Sequence, residues 1–165
     1  MINLTDKQIA EYFRRSYTAV DGLWFMKVEE KYGFDVALQL DEAVWRVLPK
    51  IQARAMKSLG SENGLDGLYE GVTTRLALEG FEFKAEKDAE GFLVFIERCP
   101  WHDLMVRSGR EALSATVSDI ICDVENSAWA NEFGVAKFER EARICNGSVR
   151  CILRFRQLSE DNSLL

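Results

Sequence analysis

Four cysteines and a single histidine supply most of the side chains in this sequence with distinctive chemistry. All five fall in the second half: Cys99, His102, Cys122, Cys145 and Cys151. The first pair reads C-P-W-H. A thiol and an imidazole three residues apart on a turn can meet at one metal ion, with Zn–S of about 2.3 Å and Zn–N of about 2.0 Å. The same pair can instead work as a thiolate activated by an imidazole. The plain alternative is a strand-end thiol beside an exposed histidine. Cys122 lies on a helical stretch with Ser118, Glu125 and Trp129 for neighbours, about 140° from the centre of the apolar stripe Leu113, Val117, Ile120, Ile121, Val124 and Ala128. Tryptophan and cysteine are commonly buried, so this helix is expected to be covered on two sides. Cys122 and Glu125 then either line a pocket or ligate a metal, or they form a second, smaller packing contact.

The elements that would position these residues follow from periodicity and capping. Thr5 with Gln8 is a capping-box pattern ahead of the stripe Ile9, Tyr12, Phe13, Tyr17, Val20, Trp24 and Val28, and the first helix should run from about residue 6 to Tyr32 and stop at Gly33. Asp35 opens a second helix, which Pro49 should split near Leu48 and Gly60 should end. A third, with Leu65, Leu68, Tyr69, Val72 and Leu76 on one face, stops at Gly80. From Phe81 the period changes to that of strands. FEFKAE alternates, KDAEG turns, and FLVFIERC returns as a more buried strand that Pro100 ends. A short helical turn is expected over Asp103–Ser108, then the long helix bearing Cys122. Two last strands, VAKFEREARIC and SVRCILRFR, are joined by Asn146-Gly147, a strong hairpin signal.

With Asn146 and Gly147 as a two-residue loop, Phe138 faces Phe155, Glu139 faces Arg154, Arg140 faces Leu153, Ala142 faces Cys151, Arg143 faces Arg150 and Ile144 faces Val149. Cys151 then points to the core and Cys145 to the opposite, polar side; a one-residue change of register reverses this. In the N-terminal half, Asp21, Trp24, Phe25, Val28 and Glu29 share one side of the first helix. Asp41 and Trp45 lie one turn apart on the second, followed by Arg54 and Lys57. Carboxylates beside tryptophans on inward faces require partners. These either bind a polar ligand, with Arg54 balancing charge, or form ordinary interhelical ion pairs.

The chain has 165 residues, 47% of them hydrophobic and 29% charged, as in an ordinary globular protein, and its net charge of -6 argues against a nucleic-acid partner. No apolar run approaches the roughly 20 residues of a membrane span. MINLTDKQIAEYF has no basic and apolar leader pattern, so a cytoplasmic, reducing setting is expected, with thiols rather than disulfides. The order ααα-ββ-α-ββ reads as one α+β domain over residues 1–165, with a helical half (1–79), an antiparallel four-stranded sheet with a packed helix (80–158) and a frayed tail (159–165).

DGLWFMKVEEKYGFDVALQLDEAVW followed by IQARAMK resembles the N-terminal signature of a family of small uncharacterised proteins from anaerobic bacteria and archaea. That family is related to the L-2-amino-thiazoline-4-carboxylate hydrolase-like group, whose other marks match CPW from Cys99, a helix bearing Cys122, and a final hairpin with Gly147 and Cys151. The last forty or so residues also resemble, more distantly, the four-vinyl-reductase-type ligand-binding domain. In that domain a helix cysteine and hairpin cysteines hold a structural zinc beside a small-molecule pocket. Cys122 matches the helix cysteine and Cys151 the final one; the middle cysteine falls on Arg143, with Cys145 two residues on, and the acidic ligand falls near Arg140. The resemblance therefore implies a remodelled site that draws on Cys99 or His102.

The leading expectation is a small-molecule- or metal-binding domain, its site beside a pocket between helices and sheet. Zinc or iron would be held by Cys99, His102, Cys122 and Cys151, and a ligand touched by Trp24, Glu29, Trp101 and Trp129. The rival is a hydrolase opening a cyclic amidine-like C–N bond, with Cys99, His102 and Glu125 as catalytic groups. A structural or regulatory subunit with inert core cysteines is the third class. A homodimer is also expected.

Overall fold

The structure, a computed structural model, describes residues 1–134 and 136–158. The expected tail, residues 159–165, and Val135 at the head of the third expected strand lie outside the described residues. The chain divides into two compact units, Met1–Ala43 and Val44–Leu165. The third and fourth helices therefore belong with the sheet rather than with the first helix.

In the first unit the capping box forms as expected. Thr5 Oγ1 accepts from the Gln8 backbone N–H at 3.3 Å, and Gln8 Oε1 accepts from the Thr5 N–H at 2.9 Å. It opens helix α1, Asp6–Tyr32, which ends where Gly33 takes φ +89°. Helix α2, Phe34–Trp45, begins in this unit, and Phe25 meets Phe34 edge-on with centroids 5.9 Å apart.

The second unit holds α3 (Leu48–Ser58), α4 (Leu65–Glu79), β1 (Glu82–Asp88), β2 (Gly91–Arg98), α5 (Pro100–Arg107), α6 (Glu111–Phe133), β3 (Ala136–Ala142), a 3-10 turn at Ile144–Asn146, and β4 (Cys151–Gln157). Pro49 sits in the first turn of α3, where its missing N–H has no helical acceptor to lose. The break with α2 falls at Arg46 and Val47, just before the expected point. Pro100 likewise starts α5, with Cys99 at its N-cap. The short turn expected at Asp103–Ser108 is thus a two-turn helix that includes Trp101 and His102.

The sheet is antiparallel in the order β1-β2-β4-β3. Phe92 and Val94 on β2, Leu153 and Phe155 on β4, Leu68, Val72 and Leu76 on α4, and Trp129 and Phe133 on α6 form its core. Phe92 stacks on Phe155 at 4.6 Å, and Tyr69 meets Phe92 edge-on at 5.3 Å. On the other face, Arg154 pairs with Asp88 and Glu141, and Arg156 with Glu90 and Glu139.

The β3–β4 register agrees with the expected hairpin through Phe138–Phe155, Glu139–Arg154 and Arg140–Leu153, then slips between Arg140 and Ala142. Ala142 faces Ile152 instead of Cys151. Asn146-Gly147 closes the 3-10 turn, with Gly147 at φ +85°, rather than forming a two-residue loop. The expected Arg143–Arg150 and Ile144–Val149 ladder pairs are not formed. The slip also changes the environment of Cys145, whose Sγ lies 2.8 Å from Ser118 Oγ on α6 rather than on an open polar face.

Two glycines let α4 come close to its neighbours. A Cβ on Gly71 would lie 3.0 Å from Trp129 and 3.3 Å from Phe133, and one on Gly67 would lie 1.7 Å from the Glu62 carbonyl oxygen. Gly71→Ala should therefore wedge α4 from α6 and cost about 1–3 kcal/mol as an overpacked contact, read as a lower urea midpoint at unchanged m-value. An unchanged midpoint would show that the rings yield freely.

Candidate functional site

Helix α6 is buried on more than its apolar stripe. Of that stripe, Ile121 and Ala128 are buried while Leu113, Val117, Ile120 and Val124 are half-buried; Ser114, Glu125, Asn126 and Trp129 are buried as well. The expectation of two covered sides holds. The polar one is buriable because α4 packs against it and carries a cation there. Arg75 follows Leu68 and Val72 on the inward face of α4, and its side chain is 3% exposed. Its guanidinium pairs with Glu125, donates from Nη2 to Asn126 Oδ1 at 3.1 Å, and stands 5.4 Å from the Trp129 ring centroid. Burial would lower the Arg75 pKa, but Glu125 and Glu79 more than compensate and hold it above its ordinary value.

Glu79, one turn beyond Arg75 on α4, completes a buried group of two carboxyls and one guanidinium. Gln52 of α3 donates to its Oε1 at 3.5 Å, and the Trp101 side chain also hydrogen-bonds to it. Trp101 in turn meets Trp45 edge-on at 5.8 Å. Loss of solvation pushes the Glu79 carboxyl up to about 7; Arg75 opposes this and Glu125 adds to it. Buried polar atoms without a hydrogen-bond partner among the described residues include Arg75 Nε, Trp129 Nε1 and Gln52 Oε1. They lie on the side chains that surround or support the ion group.

Three thiols border the same region. Burial pushes Cys99 up to about 12, against the Trp101 and His102 backbone N–H groups at the start of α5; Cys151 and Glu125 raise it further. Cys122 is pushed well up, first by burial and then by Cys99 and Glu125, with Arg140 opposing. Cys151 is raised by burial, and its Sγ accepts from the Ile144 N–H at 3.2 Å. Cys99 and Cys122 are thus neutral thiols near pH 7, and the thiolate needed for nucleophilic attack is not populated. His102 Nδ1 lies 2.8 Å from Ser114 Oγ, so this ring nitrogen is engaged with α6. Among the described residues no group of three or more His, Cys, Asp or Glu is arranged to hold a metal ion. The expected quartet Cys99, His102, Cys122 and Cys151 is thus not brought together as one ligand group.

The remaining expected residues divide by position. Glu125, Trp101 and Trp129 belong to the buried centre. Trp24 and Glu29 stand on α1 in the first unit, and Trp24 is 43% exposed. Arg54, expected to balance Asp21, Glu29 and Asp41, forks onto Glu132 of α6 with two contacts of 2.9 Å. A groove of about 440 Å³ lies between Arg46 and Lys50 on one side and the α6 residues Asp123, Val124, Ser127 and Asn131 on the other. None of the expected site residues lines it.

Sequence reasoning missed Arg75, Glu79 and Asn126. A signal was present in LDGLYEGVTTRLALE, where Arg75 and Glu79 continue the Leu68–Val72 face at helical spacing. For Arg140 the sequence offers a ladder partner, Leu153, and a mismatch to a metal ligand, but no role at α6. Its side chain, 3% exposed, reaches α6 and contacts Asp123 at 3.1 Å, Asp119 at 3.3 Å and the Ser118 carbonyl at 2.9 Å.

The second unit thus combines an antiparallel sheet and two long helices around a buried Arg–Glu–Glu centre bordered by thiols. The chain belongs to a family described as a family of unknown function (DUF6125), which matches residues 4–132. No curated protein and no solved structure matches it.

Two outcomes follow. The folded chain holds the Glu79 proton more tightly than the unfolded chain, so its contribution to stability is full below pH 4.5 and is lost as pH rises through about 7. The loss is on the order of 3 kcal/mol. Urea midpoints at pH 5 and pH 8 should differ by more in the native chain than in Glu79→Gln, and equal differences would contradict the assignment. Cys99 and Cys122 are half-buried neutral thiols, so near neutral pH both should be alkylated far more slowly in the folded protein than after unfolding, with equal rates in the two states as the contrary result.

Proposed function

We propose that this chain is a cytosolic small-molecule-binding domain whose ligand engages Arg75, Glu79, Glu125 and Trp129. The observation that supports this most is a buried guanidinium between two carboxyls, next to donor groups left without acceptors. A perturbed carboxyl such as Glu79 in a buried charged centre is associated with functional sites, because burial of this kind disfavours a chain that only needs to fold. Unpaired N–H groups on Arg75 and Trp129 suit a carboxylate or carbonyl of the ligand. Glu79 and Glu125 suit an amidine-like cation, whose two N–H groups match a carboxylate fork. The four cysteines are free thiols, as a reducing cytosol would keep them. Among the described residues no helix is long and apolar enough to cross a membrane.

A hydrolase acting on a cyclic amidine is the second reading, favoured by the Glu79 carboxyl at about 7. A group with that pKa takes and returns protons near neutrality. Glu79 would accept a proton from water as the water oxygen bonds to the amidine carbon. The ring C–N bond then breaks and the proton passes to the leaving nitrogen, so that water is added across the bond. Glu125 and Arg75 would hold the substrate, while Cys99, as a neutral thiol, and His102 would shape the site.

L-2-Amino-thiazoline-4-carboxylate carries both an amidine and a carboxylate and is the probe to use. Calorimetric titration of the native chain should give saturable binding, weakened at least tenfold in Glu125→Gln, with mass spectrometry of the mixture read for addition of water. Binding without turnover supports the binding domain, and turnover supports the hydrolase. Neither heat nor product would overturn both.

A further inference from the structure

Helix α1 carries its apolar residues on its exposed side. At 100° per residue, Ile9, Tyr12, Phe13, Val20, Leu23, Trp24 and Met26 fall within an arc of about 160°. All seven are exposed, Tyr12 and Phe13 at 64% and Val20 at 68%. The half-buried residues, among them Glu11, Arg14, Thr18, Asp21 and Glu29, lie on the opposite and more polar side. No residue of this 27-residue helix is fully buried. A contiguous exposed stripe of this kind marks an interaction surface.

We propose that this stripe pairs with the same stripe of a second copy of the chain, the two α1 helices running antiparallel. Three features select this occupant. The stripe is self-complementary about its middle: in a register that sets Ser16 opposite Val20, Phe13 faces Leu23 and Tyr12 faces Trp24, so the small residues Ser16 and Ala19 allow close approach at the centre with the large side chains flanking it. Such an isologous patch, in which each contact occurs twice, is the rule for two-fold dimers. The area also suffices. Aromatic side chains bury about 150–250 Å² each, and with its exposed aliphatic residues the stripe offers roughly 600 Å² per copy, or about 1,200 Å² in all, above the ~1,000 Å² of a specific interface. Finally, Asp6 in the first turn falls opposite Glu30, which already pairs with Lys27, and antiparallel pairing leaves Lys31 of the last turn beside Asp6 of the other copy.

Sedimentation of the full chain tests this. The chain has a mass of 18.8 kDa, and a species of twice that mass is expected at micromolar concentration. Val20→Glu and Leu23→Glu should each give the monomer with an unchanged helical circular dichroism signal. Zero-length carbodiimide cross-linking should join Asp6 to Lys27 or Lys31; these are about 30 Å or more apart along one helix, so such a link forms only between antiparallel copies. A native monomer, a dimer that survives both substitutions, or a dimer without that cross-link overturns the proposal. Capture of a different protein by the monomer would also do so.

Discussion

The charge of Arg75 is the constraint on which the packing of the second unit turns. A guanidinium 3% exposed must find its counter-charge within the protein, and Glu125 and Asn126 of α6 provide it. Sliding α6 along α4 by one turn would separate the guanidinium from both and leave a buried charge alone, a change worth about 3–5 kcal/mol. Apolar contacts between the helices would tolerate such a slide far better. The ion pair therefore fixes register more than it adds stability, and Gly67 and Gly71 are the local condition for it. Without side chains there, Trp129 and Phe133 approach the α4 backbone, and the Trp129 ring comes beside the guanidinium.

Much of the architecture was legible because local chemistry and tertiary packing agree. The Thr5–Gln8 box, Gly33, Gly80 and the change to strand period at residue 81 each mark a boundary that backbone physics imposes wherever the segment lies. The β3–β4 register was readable from Phe138 to Arg140 for the same reason, since alternation and cross-strand pairing concur there. It failed at the tip, where Arg140 is drawn to Asp119, Asp123 and the Ser118 carbonyl of α6. That pull is long-range, and the loop sequence Asn146-Gly147 contains no sign of it. The ladder slips beside Arg140, and Cys145 ends beside Ser118.

The candidate site was less legible, because a hydrophobic stripe is a poor guide to which sides of a helix are buried. On α6 most of the continuous apolar row is half-buried, only Ile121 and Ala128 being buried, while Ser114, Glu125, Asn126 and Trp129 of the mixed row are buried too. Only a partner charge on another element makes that row buriable, and Arg75 was masked by the leucines and valine around it. The spacing of Cys99 and His102 misled in a simpler way. Pro100 begins a helix instead of a turn, so His102 stands on a helical surface where its Nδ1 meets Ser114.

The thiols of the second unit and the Glu79 carboxyl respond to one cause. Removal from water raises Cys99, Cys122 and Glu79 alike, and the Glu125 carboxylate raises each of them further. The thiols remain neutral and therefore line the centre as weakly polar, water-excluding groups. That leaves one guanidinium to balance two carboxyls. With both ionised, the Arg75–Glu125–Glu79 group carries one net negative charge in the core; with Glu79 protonated it carries none. Because Glu79 changes state near pH 7, the centre stands between these two conditions in a cell. A ligand bringing a positive charge would favour the ionised form and would draw a proton out of the site as it binds.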